Sequence, residues 1–230
     1  MKAELSIIIP VLNEAEGLPG LLEHLMPLYG CGTEVIVVDG GSEDGSQQAA
    51  LCAGVQVICS ERGRARQMNV GAAAAQGDIL LFLHADTRLP LAAEQSIEAA
   101  IRHSGGIHEY AWGHFDVRIA GSSFMLRVVA RMMNWRSRLT GIATGDQAMF
   151  VTRCAFELAG GFPDQPLMED VELSKRLRAL SRPICLADRV VTSGRRWEKR
   201  GVWRTIWLMW RLRWLYWRGV PAGELAELYR

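Results

Sequence analysis

The sequence predicts one α/β domain built on a mainly parallel sheet, with a helical C-terminal tail. Three observations predict it. Short apolar runs rich in β-branched residues occur at 5–10 (LSIIIP), 34–39 (EVIVVD), 55–59 (VQVIC) and 79–83 (ILLFL), the pattern of fully buried strands. Stretches of helical character at 18–28, 45–53 and 64–75 separate them. The 230 residues, 49% hydrophobic and 22% charged, suffice to bury one substantial core.

Each element follows in order. Alternation over 5–83 implies right-handed βαβ units and a sheet covered on both faces, with ligands at the carboxyl ends of its strands. The run at 5–12 is short, contains Pro10 and lacks a signal-peptide cleavage site, so it reads as the first strand. After Pro90 the pattern changes to a helix through His103, a strand at 112–119, a helix at 124–135 and a strand at 144–151. A helix at 169–180, short extended pieces near Ile184 and Val190, and a Trp/Arg-rich helix to the end complete the chain. Residues 1–89 thus form a first half with its ligand site at the strand ends, 90–198 a second half and 199–230 an amphipathic tail of one domain.

Lys and Arg number 26 against 25 Asp and Glu, a formal charge of +1, which gives no global reason to expect nucleic acid as a partner. Cys31, Cys52, Cys59, Cys154 and Cys185 are scattered and lack C-x-x-C spacing. They read as reduced thiols of a cytoplasmic protein.

Polar residues interrupt the apolar runs at strand ends. Asn13 and Glu14 follow the first strand, Asp39 ends the second and Asp86 follows the fourth. Gathered carboxylates need donors or a cation, although each alone is an ordinary turn residue. Asp44 reads equally well as a ligand or as an acid at a helix start. His114 and Asp116 fit ordinary surface alternation on their strand.

The motifs I-P-x-x-N-E at 9–14, VVDGGSxDG at 37–45 and FLHAD at 82–86 resemble those of glycosyltransferase family 2, which has the GT-A fold. The likeness continues through Gly145-Asp146-Gln147, Gly160-Gly161-Phe162 and Glu169-Asp170, and is similar to a small bacterial branch linked to arsenosugar biosynthesis. It implies a GT-A type nucleotide-binding domain and an inverting transfer of sugar from a nucleotide-diphosphate donor to a hydroxyl acceptor. Pro10, Asn13, Glu14 and Asp39 would then lie at the donor base and ribose. Asp86 would ligate Mn²⁺ or Mg²⁺, the second carboxylate of a D-x-D motif whose first position is His84 here. Ribose contact, metal contact and space filling are all open to His84. Where the family shows Ala-Arg-Asn this chain has Gln67-Met68-Asn69, so Arg64 or Arg66 would grip phosphate with Asn69 nearby. Asp170, with Glu169 beside it, would be the general base, kept ionised at a helix N-terminus. Gly145, Asp146 and Gln147 resemble an acceptor-side loop, and Arg196 and Trp197 a terminal Arg-Trp element facing phosphate or acceptor.

Other functions fit less well. A dinucleotide-dependent oxidoreductase needs G-x-G-x-x-G after the first strand, whereas Gly40, Gly41 and Gly45 follow the second. A sugar nucleotidyltransferase needs a Gly-rich basic loop where this chain has Val11-Leu12-Asn13-Glu14. A non-catalytic sugar-nucleotide-binding protein would not need both Asp86 and Asp170. In the tail, Trp203, Trp207, Trp210, Trp214 and Trp217 share one helical face with Arg204, Arg211 and Arg218 beside them. That stripe suits either a membrane surface, on the inner face for a cytoplasmic protein, or packing against the domain or a second copy. Arg211 and Arg213 would cost too much for the helix to span a bilayer.

Overall fold

The computed structural model describes residues 4–29, 32–103 and 108–229. Cys31 lies outside the described residues. In the first half, β1 (Leu5–Val11), β2 (Glu34–Asp39), β3 (Gln56–Cys59) and β4 (Ile79–Phe82) are joined by α1 (Leu18–Tyr29), α2 (Ser46–Cys52) and α3 (Arg64–Ala74). β1 pairs in parallel with β2 and β4, and β2 with β3.

The burial of β1 explains its lack of a polar face. Ile7 and Ile9 pack with Leu18, Leu22 and Leu25 of α1 on one side of the sheet. Ile8 meets Ala65, Met68 and Ala72 of α3 on the other. The second contact is so close that a Cβ on Gly71 would collide with Ile8 and Val38, so the small residue sets the distance between helix and sheet.

The second half adds β5 (Thr87–Arg88), α4 (Ala93–Arg102), β6 (Trp112–Ala120), α5 (Phe124–Thr140), β7 (Met149–Thr152), α6 (Arg153–Leu158), α7 (Glu169–Leu180) and β8 (Ile184–Ser193). α8 (Arg195–Arg200), α9 (Val202–Trp217) and α10 (Ala222–Tyr229) follow. Strand order is β3-β2-β1-β4-β7-β6-β8-β5, so both halves build one sheet. β7 joins antiparallel to β4 and β6, and β8 lies parallel to β6. Arg153 fastens the junction: its guanidinium donates four hydrogen bonds to the carbonyls of Ala72, Ala75 and Gly77.

Several expectations change. β3 is an edge strand with Gln56 and Cys59 exposed, not a fully buried one. The strand expected from residue 144 begins only at Met149, because Gly145–Gln147 is a 3-10 turn followed by Ala148 at φ 47°. α5 runs past Trp135 to Thr140 and stops at Gly141, whose φ of 66° suits a helix end. The two extended pieces near Ile184 and Val190 are one strand, carried past a register shift opposite Phe115 and Asp116. His114, expected at the surface, is fully buried, with Nδ1 3.2 Å from the Gln147 amide nitrogen. The single C-terminal helix is three, broken at Gly201 (φ 82°) and Gly219 (φ 88°).

The tail packs by the face opposite its tryptophans. Leu212 is completely buried and meets Met168 and Leu225, with Leu208, Met209, Leu215 and Tyr216 beside them. The five tryptophans point outward, from 55% exposed at Trp214 to 79% at Trp217, so they do not pack on the domain. Among the described residues, no helix is long and apolar enough to cross a membrane.

Candidate active site

In the strand order, β2 and β4 lie on opposite sides of β1, so the chain reverses its direction of winding at β1. Open α/β sheets place ligands outside the carboxyl ends of strands at such a point. Here a cleft of about 620 Å³ opens there, with Pro10, Glu14, Arg64, His84, Asp86, Asp146 and Asp170 in its walls.

Hydrogen bonds between the β1 and β2 loops shape its donor end. Asn13 N–H donates to Ser42 Oγ, its Oδ1 accepts from Glu43 N–H, Glu14 N–H donates to Ser46 Oγ, and Ala15 N–H donates to Asp44 Oδ2, all at 2.8–2.9 Å. Asn13 takes a left-handed conformation (φ 55°), which Asn tolerates better than most residues. Asp39 is buried, and its carboxylate accepts from Gly41 and Ser42 N–H. Gln67 bridges the two strand ends beneath, its amide donating to Val11 O and Val38 O at 2.8 Å. Glu14 reaches Arg195 at 3.5 Å. Burial raises its pKa, Arg195 works the other way, and the charge of Asp86 adds to the rise.

At the centre, His84 Nδ1 lies 3.3 Å from Asp146 Oδ1. Burial alone would raise the Asp146 pKa, but the hydrogen bond and charge of His84, with Arg64 and Arg196, bring it below its ordinary value. Gly145 is required here, since a Cβ would collide with the His84 imidazole. Its N–H donates to Asp170 Oδ2 at 2.9 Å, while Asp170 Oδ1 accepts from Val171 N–H at 2.7 Å. Asp170 is therefore fixed at the start of α7 with both oxygens oriented. Glu169 is only 2% exposed and pairs with Arg64 at 3.1 Å. Burial, then the charge of Asp170, raises its pKa against the pull of Arg64.

Arg196 and Trp197 also line the cleft. Five expected residues do not. Asn13 and Asp39 shape the loops, as above. Arg66 turns away to Asp164 and Glu61, at 2.8 and 2.6 Å, which leaves Arg64 as the arginine of that loop that pairs inside the cleft. Asn69 clamps the Gly160-Gly161-Phe162 turn, accepting from Phe162 N–H and donating to Phe162 O. Gln147 is buried against His114, Ser137 and Thr144.

The sequence reading missed the wall supplied by the tail, namely Thr205, Met209, Leu212, Arg213 and Tyr229. A signal existed: Thr205, Met209, Leu212 and Tyr216 recur at helical spacing opposite the tryptophans, and Arg213 stands beside that stripe.

Among the described residues, no three His, Cys, Asp or Glu side chains form a ready metal cage. Asp86 is exposed and forms no ion pair among them, its only side-chain hydrogen bond there being a long one from Thr87. One available carboxylate opening on a cleft suits Mg²⁺ or Mn²⁺ completed by substrate phosphates, since such ions take one or two protein carboxylates.

The contact between residues 84 and 145 is open to test. Gly145→Ala is expected to cost about 1–3 kcal/mol by overpacking, and clearly less when His84 is also alanine. Urea unfolding of the two single variants and the double variant measures this coupling; an equal cost in both backgrounds contradicts the contact.

Comparison with known proteins agrees with this geometry. Glucosyl-3-phosphoglycerate synthase of Mycobacterium tuberculosis is 29% identical over 92 residues, which cover 36% of this chain and 28% of that protein. The chain therefore matches less than a third of that relative's length. Among solved structures, TarS of S. aureus in complex with UDP-GlcNAc superposes with a TM-score of 0.65 at 19% identity, covering 84% of this chain and 58% of TarS. The mannosyltransferase PcManGT of Pyrobaculum calidifontis, in complex with GDP-Man and Mn²⁺, gives 0.62 at 20% identity, covering 93% and 61%. At these identities the likeness establishes the GT-A fold. The sequence model of Glycosyl transferase family 2 matches residues 6–154, more than half of the chain, and the chain therefore belongs to that family.

Proposed function

We propose that the chain is an inverting glycosyltransferase that moves a sugar from a nucleotide-diphosphate donor to a hydroxyl acceptor. The carrying observation is Asp170, oriented by Gly145 N–H at the start of α7 in the same cleft that Asp86 enters from the end of β4. Asp170 takes the proton of the acceptor hydroxyl. That oxygen bonds to the anomeric carbon as the bond to the diphosphate breaks on the opposite face, and the nucleoside diphosphate leaves. One base and no separate nucleophile fit single displacement. Glu169 is a poorer base, because its carboxylate is engaged by Arg64.

Asp86, with His84 beside it, would hold Mn²⁺ or Mg²⁺ with the donor phosphates, and the cation would offset the charge that the departing diphosphate gains. The Mn²⁺ in the PcManGT complex supports this. Pro10 and Glu14 face the nucleoside, with Asn13 and Asp39 holding the loops around it. Arg64 and Arg196 face the phosphates, and Gly145, Asp146 and Trp197 the acceptor. The likeness to a branch linked to arsenosugar biosynthesis concerns pathway and names no acceptor.

We propose further that the tail rests on an anionic lipid surface. Neither α5 nor α9 contains an acidic residue, although the whole chain is nearly neutral. On α9 the arginines stack on the exposed stripe, Arg211 over Trp207 at 5.5 Å and Arg218 over Trp214 at 5.2 Å. On α5, Phe124, Trp135 and Leu139 are exposed among Arg127, Arg131 and Arg138. Indoles at headgroup depth with guanidiniums beside anionic lipid are the chemistry of an interfacial helix.

Three outcomes are expected. Asp86→Ala abolishes cation-dependent binding of UDP or GDP measured by calorimetry, and full wild-type activity in excess chelator contradicts the metal assignment. Asp170→Asn binds donor but transfers about 10²–10⁴-fold more slowly; a near wild-type rate places the base elsewhere. The intact protein sediments with vesicles containing phosphatidylglycerol, less so at high salt or as Trp207→Ala/Trp214→Ala. Protein that stays in the supernatant at low salt leaves the stripe to a protein partner.

A further inference from the structure

We propose that the acceptor wall of the cleft is an anion site, and that the acceptor carries a phosphate group held by Arg213 beside Asp170, with the charge of Arg136 close by. This rests on the transfer reading above and names the class of acceptor.

Arginines elsewhere in the fold show what a structural role looks like. Arg153 has four carbonyl acceptors, and Arg138 has Asp116 at 2.9 Å. Arg136 and Arg213 have nothing comparable. Nε and Nη2 of Arg136 are buried with no hydrogen-bond partner. Arg213 reaches into the cleft from α9 and forms no hydrogen bond or ion pair among the described residues. The two guanidiniums are near enough to feel each other's charge, and both feel Asp146 and Asp170. Burial, then the charge of Arg213, pushes Arg136 down to about 10.

Folding gains nothing from bringing the half-buried Arg213 close to Arg136, whose Nε and Nη2 are buried without acceptors, since like charges repel and unpaired buried donors are costly. A bound anion gripped by Arg213 offsets the charge of both. Planar guanidinium forks match phosphate oxygens bidentately, and a phosphate monoester brings close to the two negative charges that a pair of guanidiniums calls for. The position beside Asp170 is where the acceptor hydroxyl must lie for its proton to be taken. Phosphate bound there would hold the acceptor by a group that does not react, leaving the hydroxyl directed to the base.

The test uses the full chain in phosphate-free, low-salt buffer. Arg136→Met removes an unsatisfied buried charge at similar volume, so it is expected to melt above the wild type. Adding inorganic phosphate or glycerol 3-phosphate is expected to raise the wild-type Tm, and to raise that of Arg136→Met far less. By calorimetry, Arg213→Gln is expected to bind phosphate about 10–100-fold more weakly, the loss of one charged hydrogen-bonding group, while Mn²⁺-dependent binding of UDP or GDP stays near wild type. The soluble esters and vesicles of phosphatidylcholine with phosphatidic acid separate a soluble acceptor from a lipid phosphate, and a response to either that Arg213→Gln weakens supports the site, because the tail stripe alone would hold both forms on anionic vesicles. The proposal is overturned if phosphate leaves the wild-type Tm unchanged, if both variants respond like the wild type, or if Arg213→Gln loses nucleotide and phosphate binding together. A wild type that binds phosphate but no nucleotide would sink the transfer reading and leave the anion site standing.

Discussion

The parallel pairing of β1 with β2 on one side and β4 on the other is the constraint from which the site follows. Two parallel neighbours oblige the loops after β1, β2 and β4 to leave the sheet at the same edge. Glu14, Asp39 and Asp86 are brought together by that rule before any bond between them is considered. The strand that imposes it has no polar face to spare, with Ile7, Ile8 and Ile9 all completely buried. The loops are then tied by backbone donors and small polar side chains, Asn13 to Ser42 and Glu43, and Asp44 to Ala15. Turn chemistry and the proposed nucleotide binding thus draw on one set of residues. The Gly145-to-Asp170 bond extends the same rigidity across the cleft to α7.

The first half was legible in the sequence because its signals are local. β2 has the boundaries expected from periodicity, 34–39, and β1 extends one residue beyond its run; in the second half α7 also keeps its expected span, 169–180. Legibility fell where geometry depends on distant partners. Thr144-Gly145-Asp146-Gln147 carries one local signal, a capping box in which Thr144 and Gln147 bond across the turn, but how it packs is set by His84, Asp170 and the buried His114. β8 looked like two pieces because a register shift lies in its pairing with β6. Most of the motif residues converge on one cleft, but the motifs did not separate residues that face it from residues that hold it. Arg66 and Arg64 are two positions apart and point to different partners, Asp164 and Glu169, a distinction carried by tertiary contacts alone.

The tail shows the same division. Its tryptophan periodicity was plain, yet the tail is joined to the cleft by the opposite face, where Leu212 meets Met168 at the root of α7. That contact turns an amphipathic helix into a wall of the cleft. The charge asymmetry follows: basic residues gather on α5 and α9, and the acids that balance them lie in other parts of the chain.

One feature of this arrangement bears on how such a protein diversifies. The region matched by the family model ends at residue 154, whereas Asp170, Arg196 and Arg213 all come from chain beyond it and form the far wall of the cleft. On the proposed function, nucleotide recognition and acceptor choice lie in separate stretches of polypeptide that meet only in space. Substitutions along α9 can reshape what the cleft admits while Asn13, Asp39 and Gln67 keep their bonds, so the wall can change without disturbing the loops at the strand ends.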